Sequence, residues 1–268
     1  MNLSKNQIEK YSRQIILKEI GGIGQEKLLN STISVVGLGA LGSPVVYYLA
    51  AAGVGYLNLI DFDVVEPSNL HRQILHQLED VGKQKTLSAM EKIKKINPDC
   101  KIEFHNIKIQ NQNVIELLKG SDFVIEGSDN LPTKMLINDT CEYLGIPFTI
   151  AGVLRFYGQI MTVDPNQKTL CYRCVFGDAQ SNPVGMSCSQ AGIIGILPGV
   201  FGCLEANEAI KSVLNIGTLL VNKILSIDLL NMNFNTIDLK KNEKCFACNS
   251  PSLKFITENN YGFNELCH

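Results

Sequence analysis

The 268-residue sequence has little that would tie it to nucleic acid or to a membrane. Its formal net charge is only −2 and no basic stripe is present, so we expect no nucleic-acid partner. The longest apolar run, residues 191–204, contains a proline and four glycines and is too short to span a bilayer. The polar N-terminus lacks the apolar core of a signal peptide, so we expect a cytoplasmic protein without a membrane partner.

No internal repeat or low-complexity linker divides the chain, and 45% of its residues are hydrophobic, which is enough for a well-buried core. We therefore expect a single domain over residues 1–268. A helical segment, 1–30, precedes a nucleotide-binding half, 31–152. A second half, 153–250, and a tail, 251–268, follow.

Alternating strand and helix patterns fill the first half of the chain. Apolar runs predict strands at 32–36, 56–60, 102–104, 123–125 and 148–151, and helices are predicted at 5–30, 44–52, 85–96, 114–118 and 133–144. The alternation predicts an α/β fold with a Rossmann-like, mostly parallel sheet covered by helices on both faces. In the second half, 158–163 and 224–239 predict longer antiparallel strands, with a Gly-rich segment and one helix, 204–214, between them.

A glycine-rich loop follows the first predicted strand. Gly37, Gly39 and Gly42 form a G-x-G-x-x-G pattern between a strand and a helix, and Asp61 ends the next strand. In such a loop the first glycine permits a tight turn, the second lets the backbone approach phosphate, and the third lets the helix pack closely. The pattern alone is weak evidence and also fits a packing turn, but the strand–turn–helix–strand–acid context indicates a nucleotide site.

Charged and amide side chains follow the same strands. EPSNLHRQ contains Asn69 and Arg72, VGKQKT contains Lys83 and Lys85 at a helix start, and EGSDN contains Asp129. The carboxyl ends of parallel strands share one edge, where a helix N-terminus and a lysine favour phosphate. A carboxylate beside phosphates is a typical Mg²⁺ ligand. Each residue alone also fits a surface ion pair or a cap, but together they favour pyrophosphate release over hydride transfer.

Two CxxC pairs lie in the second half. Cys171 and Cys174 stand in CYRC, and Cys245 and Cys248 stand in CFAC. Four thiolates form a closed tetrahedral site typical of structural zinc, and a redox pair is the alternative for one CxxC alone. The sequence therefore predicts a Zn²⁺ site that attaches the C-terminal antiparallel part to the domain.

These motifs together resemble one family. YSRQIILKEIGGIGQEKL, VVGLGALGSP, AAGVGYLNLIDFDVVEPSNLHRQ, GKQK, GSDN, CYRC and CFAC occur in the order found in the ThiF/MoeB/HesA family, bacterial relatives of ubiquitin-activating enzyme. The resemblance runs from Tyr11 to Cys248. It implies an adenylyltransferase that uses ATP to adenylate the C-terminal glycine of a small ubiquitin-like sulfur carrier protein ending in Gly-Gly. The product would serve thiamine or molybdopterin biosynthesis.

The resemblance also implies roles for individual residues. Asp61 would bind the ribose, Asp129 would hold Mg²⁺, and Arg72 would stabilise the developing charge. The whole nucleotide site would comprise Gly39, Ala40, Gly42, Asp61, Ser68, Asn69, Arg72, Lys85, Asp129 and Asn130. Arg13 would reach into the site of the partner subunit, which implies a homodimer. Ala40 stands where the family usually has a second glycine, and it keeps the backbone N–H.

The other cysteines divide into two groups. Cys188, in SNPVGMSCSQAGIIG, matches a cysteine that in the ThiF-like branch links to the carrier's terminal glycine, although the MoeB-like branch has it without a clear need. Cys100, Cys141 and Cys203 have apolar settings and are predicted core residues. No sulfurtransferase domain follows Cys248, so the resemblance implies a separate sulfur donor, a cysteine desulfurase or a sulfurtransferase.

Three alternative functions stay open. The glycine loop also occurs in NAD-dependent oxidoreductases, which need no such set of cations. A tRNA-modifying dehydratase of the same superfamily usually lacks the paired CxxC. A non-catalytic scaffold for a ubiquitin-like protein would have no need for all of Asp61, Arg72, Lys85 and Asp129. His71 and His76 flank the arginine motif and receive no catalytic role.

Overall fold

The computed structural model describes residues 3–177, 192–259 and 261–262. Its centre is an eight-stranded sheet with the order β3-β2-β1-β4-β5-β6-β7-β8. The first five strands in this order pair in parallel, and β6, β7 and β8 are antiparallel to their neighbours. The predicted fold class, a Rossmann-like parallel sheet continued by an antiparallel part, is confirmed.

The strands and helices have the following bounds. The strands are β1 Thr32–Val36, β2 Tyr56–Ile60, β3 Lys101–His105, β4 Phe123–Glu126, β5 Phe148–Leu154, β6 Tyr157–Val163, β7 Lys223–Asp228 and β8 Asn233–Asp238. The helices are α1 Lys5–Lys10, α2 Ser12–Ile15, α3 Gly21–Asn30, α4 Gly42–Ala52, α5 Lys85–Ile96, α6 Val114–Leu118, α7 Leu131–Leu144, α8 Tyr172–Phe176, α9 Ile196–Leu214, α10 Phe246–Asn249 and α11 Leu253–Glu258.

Strand β1 is buried on both faces because alternate side chains enter two different cores. Ile33 and Val35 of β1 pack with α4, α5 and α9, whereas Val36 packs on the side of α6 and α7. Strand order reverses between β1 and β4, since the chain runs from β1 outward to β3 and then returns to β4. Ligands of such sheets bind at this point, outside the carboxyl ends of the strands.

Three predicted elements differ from the structure. The predicted helix over 5–30 is three helices, interrupted where Tyr11 is buried and where Gly21 takes a positive φ of 58°. The predicted 224–239 strand is a hairpin of β7 and β8. The predicted helix 204–214 begins at Ile196, because Pro198 occupies the first turn, where a missing N–H costs nothing.

The glycines of this helix reflect close packing. A Cβ on Gly202 would lie 2.3 Å from the carbonyl oxygen of Leu41, just before α4. Part of the Gly-rich segment that was predicted to precede the helix therefore belongs to α9, where Gly202 contacts the start of α4. Among the described residues, no helix is both long and apolar enough to cross a membrane.

Candidate nucleotide site and cysteine cluster

The glycine loop joins β1 to α4 at the point where strand order reverses. Gly37 has a φ of 90°, and a Cβ there would lie 2.8 Å from the carbonyl oxygen of Gly127, which follows β4. A Cβ on Gly42 would lie 2.0 Å from the carbonyl oxygen of Gly37. These two glycines are therefore required by the fold, because no side chain fits at either position.

Gly39 has a different environment. A Cβ there would meet only the side chain of Gln73, at 3.5 Å, which is an ordinary contact. Gln73 is 5% exposed, and its Oε1 has no hydrogen-bond partner among the described residues. A Cβ at Gly39 thus fits without a clash, and its neighbour is a side chain with an unpaired amide oxygen, as expected where backbone approaches a ligand.

Alanine substitutions separate these two uses of glycine. We expect Gly42→Ala to lower the free energy of unfolding by about 3 kcal/mol, because the added methyl overlaps the loop backbone. Gly39→Ala is expected to leave stability within about 0.5 kcal/mol and to weaken ATP binding. Urea unfolding and calorimetric titration with ATP measure the two effects. A Gly42→Ala protein of wild-type stability would contradict this packing argument.

Asp61 lies at the end of β2 and holds the loop. It is 8% exposed, and its Oδ2 accepts a hydrogen bond of 2.7 Å from the backbone N–H of Leu38. Its Oδ1 accepts one of 2.8 Å from the N–H of Asp63. Burial raises the pKa of Asp61, and nearby Lys85 opposes this effect. Each oxygen keeps a second lone pair that a ligand hydroxyl could use.

Lys85 is the first residue of α5 and points into the same region. Its ammonium lies 2.9 Å from Oδ2 of Asp63, and the residue is only 5% exposed. Lys83, two residues earlier, instead pairs with Asp80 and Glu91 at 3.1 and 2.9 Å. Of the two predicted lysines, Lys85 therefore approaches the loop and Lys83 holds the segment before α5.

Ser68, Asn69 and Arg72 lie on one short segment beside the loop. The Oδ1 of buried Asn69 accepts from the N–H of Glu66 at 3.1 Å, which folds the segment back on itself. The Arg72 guanidinium donates to the carbonyl oxygen of Ser68 at 2.9 Å. Gly195 packs on the other side, since a Cβ there would lie 2.3 Å from the carbonyl oxygen of His71.

Asp129 and Asn130 follow β4 across the loop. Asp129 is exposed, and among the described residues none donates a hydrogen bond to its carboxylate. Asn130 caps α7, with its Oδ1 accepting from the N–H of Thr133 at 2.9 Å. Ser128 donates its N–H to buried Glu126 at 3.0 Å, which fixes the turn that presents Asp129. The turn also touches the glycine loop, because its backbone closely approaches Gly37.

A buried charged cluster supports this turn from below. Lys134 of α7 forms an ion pair with Glu126 and donates to the carbonyl oxygen of Ala151 at 2.8 Å. Glu205 of α9 is completely buried near this pair, and neither of its carboxyl oxygens has a hydrogen-bond partner among the described residues. Burial raises the pKa of Glu205 well above its usual range. Protonation of Glu205 would leave the Lys134–Glu126 ion pair electrically neutral.

Arg13 and Cys188 are not placed at this site. Gln14, beside the exposed Arg13, donates to the carbonyl oxygen of Ala52 at the C-terminal end of α4. Because α4 has 11 residues, that end lies about 15 Å from the loop at its start. The backbone next to Arg13 therefore lies by the end of α4 that is far from the loop of its own chain. Cys188 lies outside the described residues. Ala40 lies half-buried on the loop.

Three residues of this region were not predicted from the sequence. Gln73 borders the space beside Gly39, His76 contacts the loop backbone, and Lys134 supports the turn at Asp129. The Arg72–Gln73 pair was quoted only as a motif, and His76 was left without a role. A signal was available in their positions, because Gln73 directly follows Arg72 of the predicted site and His76 lies four residues beyond Arg72.

The four predicted cysteine ligands come together. Sγ of Cys171 lies 3.6 Å from that of Cys245, and Sγ of Cys174 lies 3.5 Å from that of Cys248. All four sulfurs lie within 4.8 Å of one another. Tetrahedral zinc–sulfur bonds of about 2.3 Å place sulfurs about 3.8 Å apart, so the cluster fits such an ion. Hydrogen bonding to Cys245 and burial raise the pKa of Cys171, which a bound cation would reverse.

An arginine links this cluster to the C-terminal segment. Arg173, between the first two cysteines, is buried and bonds Asp139 through two nitrogens at 2.7 and 2.8 Å. Tyr261 donates its hydroxyl to the same carboxylate at 2.7 Å. The rings of Phe246 and Phe255 lie 5.2 and 5.5 Å from the guanidinium carbon. The segment after Cys248 thus packs onto the cysteine cluster.

Of the cysteines predicted to be buried, Cys203 is exposed instead.

The fold and this site define a class of protein. A Gly-rich loop at the switch point of a parallel sheet, with an acid after the second strand, is the arrangement of Rossmann-like nucleotide-binding domains. The ThiF family matches residues 11–247, and the chain belongs to the ThiF family.

Curated relatives share nearly the whole length of the chain. It is 40% identical to the SAMP-activating enzyme E1 of Haloferax volcanii, covering 97% of this chain and 96% of that protein. It is 39% identical to the sulfur carrier protein adenylyltransferase of Thermus thermophilus, covering 92% and 93%. Escherichia coli MccB, solved with ATP, superposes with a TM-score of 0.77 at 24% identity, covering 90% of this chain and 75% of that one.

Proposed function

We propose that the protein uses ATP to adenylate the C-terminal glycine of a small ubiquitin-like sulfur carrier protein, releasing pyrophosphate. What supports this proposal is that Asp61 binds the glycine loop, Lys85 binds Asp63 beside it, and Arg72 and Asp129 each adjoin a residue that approaches a loop glycine. Two relatives that cover 97% and 92% of the chain are named SAMP-activating enzyme E1 and sulfur carrier protein adenylyltransferase, which supports the proposal. Sulfur transfer for thiamine or molybdopterin biosynthesis is the use we propose for the product.

The reaction needs positioning and charge stabilisation more than proton transfer. The carrier's terminal carboxylate attacks the α-phosphorus of ATP, and the bond from that phosphorus to pyrophosphate breaks. The carboxylate is already ionised, so no side-chain base is required. Arg72 and Lys85 would hold the phosphates, and Asp61 would hold the ribose. Asp129 and the adjoining residue Asn130, in the turn after β4, would hold Mg²⁺. The ion would neutralise charge on the leaving pyrophosphate.

An exposed apolar groove on the antiparallel part of the sheet suits the carrier. A cavity of about 350 Å³ is lined by residues of β5, β6, β7 and α8. Leu154, Tyr157 and Phe176 on its border are 36%, 52% and 43% exposed. Exposed apolar surface of this kind is typical of protein-binding sites. We propose that the carrier body binds here and that its Gly-Gly end extends past Arg72.

The cysteine cluster is proposed to hold a structural Zn²⁺. Four cysteines leave no open coordination position, so the ion would not take part in the reaction. Cys188 is proposed to attack the carbonyl carbon of the carrier adenylate, forming a thioester with the terminal glycine and releasing AMP, before a cysteine desulfurase or sulfurtransferase supplies sulfur. Adenylation itself needs no nucleophilic side chain, so replacement of Cys188 should spare it.

Pyrophosphate release tests the proposed function. The protein, Mg²⁺ and ATP should release pyrophosphate only with a ubiquitin-like carrier that ends in Gly-Gly. A carrier lacking the last two residues is the matched control. Reduction of NAD by this protein, with no carrier-dependent pyrophosphate, would instead support the oxidoreductase alternative.

The position of Arg13 favours a homodimer in which each site borrows this residue from the partner subunit. Arg13→Ala and Arg72→Ala proteins should each be nearly inactive. After the two proteins are mixed and their subunits redistribute, about a quarter of the sites would contain both arginines. About a quarter of the wild-type rate of carrier-dependent ATP–pyrophosphate exchange should therefore return. Mixtures that stay inactive, although mass spectrometry shows mixed dimers, would contradict the shared site.

A further inference from the structure

His76 is a buried residue to which the nucleotide site assigns no role. It is 4% exposed and follows the Arg72 segment. Its Nε2 lies 3.0 Å from the carbonyl oxygen of Leu38, and its Nδ1 lies 2.8 Å from the hydroxyl oxygen of Ser88. Leu38 stands between Gly37 and Gly39, so the imidazole contacts the middle of the glycine loop.

The contacts of the ring fix its tautomer. The carbonyl oxygen of Leu38 can only accept, so Nε2 of His76 carries a hydrogen and donates. Burial lowers the pKa of His76, which favours the neutral imidazole, and in that form Nδ1 is the acceptor that faces the Ser88 hydroxyl. Because Asp61 already holds the N–H of Leu38, both backbone polar groups of this loop residue are bound by side chains.

These bonds form a closed series of contacts beside the glycine loop. Asp61 binds the N–H groups of Leu38 and Asp63, and the carboxylate of Asp63 binds the ammonium of Lys85 at 2.9 Å. Ser88 lies one helical turn beyond Lys85 on α5 and bonds to the imidazole of His76, which contacts Leu38 and so completes the series. The loop backbone and the Lys85 ammonium therefore belong to one connected structure before a nucleotide binds.

We infer that His76 is a positioning residue that holds the glycine loop in register with Lys85 for binding of a nucleoside triphosphate. This inference rests on the proposed function, because it concerns the same nucleotide. His76 itself touches no reacting atom. Its contribution is preorganisation, since a loop already fixed against α5 loses less freedom when the phosphates bind.

Three substitutions test the inference through ATP binding without the carrier. His76→Phe fills the same space without a donor, and we expect about tenfold weaker binding of Mg²⁺–ATP. His76→Gln places an amide N–H where Nε2 stands and should bind ATP within about twofold of wild type. Ser88→Ala removes only the partner of Nδ1 and should weaken binding about threefold. Calorimetry at a temperature where every variant is folded gives the dissociation constants.

Coupling to Lys85 distinguishes positioning from general destabilisation. In a Lys85→Ala protein, we expect His76→Phe to weaken ATP binding less than twofold further, because the group that it positions is gone. A full tenfold weakening of ATP binding by His76→Phe in the Lys85→Ala protein would overturn the inference. Equal weakening by His76→Phe and His76→Gln in the otherwise wild-type protein would also overturn it. If His76→Phe does not fold, Ser88→Ala in the two backgrounds gives the same comparison. Wild-type protein that binds no ATP would remove the proposed function as well.

Discussion

Replacement of Asp129 by Asn is expected to slow carrier-dependent ATP–pyrophosphate exchange by roughly a hundredfold or more, because Mg²⁺ would lose its carboxylate ligand. The same change should leave stability nearly unaltered. Asp129 is exposed and accepts no hydrogen bond from another described residue, so the fold does not depend on its charge. Initial exchange rates over a range of Mg²⁺ concentrations measure the loss, and urea unfolding measures the stability.

Asp99 provides a matched control for this substitution. It is also an exposed aspartate, but it lies just before β3, at the opposite edge of the sheet. Asp99→Asn removes the same charge and should exchange pyrophosphate at the wild-type rate. An Asp129→Asn protein with wild-type exchange and an unchanged Mg²⁺ requirement would show that this carboxylate is not the metal ligand.

Replacement of Cys245 by Ser is expected to abolish stoichiometric zinc binding and to lower the melting temperature by about 10 °C or more. Binding of structural zinc contributes directly to folding free energy in sites of this kind. The loss of hydrogen-exchange protection should be greatest around the cluster. The contacts of Arg173 and Tyr261 with Asp139 hold the cluster and the C-terminal segment together, so both should loosen. Hydrogen exchange should therefore rise in 171–177 and 245–261 while β1 to β4 stay protected.

Cys203 is the control cysteine. It is exposed on α9 and does not belong to the four-sulfur cluster. Cys203→Ser should keep one zinc per chain and the wild-type melting temperature. Freshly reduced wild-type protein with well under one zinc per chain would contradict the metal assignment itself.

Much of the fold follows from local sequence. Short β-branched and apolar runs, such as 32–36 and 56–60, predicted strands whose bounds the structure repeats. Gly37 and Gly42 were correctly predicted as turn and packing glycines, because their spacing has only a few structural uses. The CxxC pairs also predicted a cluster, since two sulfurs on one turn need two more to complete a tetrahedral site.

Other features depend on contacts between distant residues. The glycines of α9 look like loop residues until Leu41 of the opposing segment is placed against Gly202. Cys203 lies in an apolar stretch of sequence, but it is exposed because α9 buries its opposite face. The role inferred for His76 requires Leu38 and Ser88 on either side of it, which are 38 and 12 residues away in sequence. No local sequence pattern indicates that these residues contact one another.

The most direct test of the account is the mass of the carrier after reaction. Purified protein, Mg²⁺–ATP and a ubiquitin-like carrier ending in Gly-Gly should yield a carrier heavier by one adenylyl group, attached at the terminal carboxylate, with one pyrophosphate released for each adenylate formed. The adduct should be absent when the carrier lacks its last glycine or when Arg72 is replaced by Ala. A carrier of unchanged mass, under conditions where the protein binds ATP and carrier together, would contradict the account.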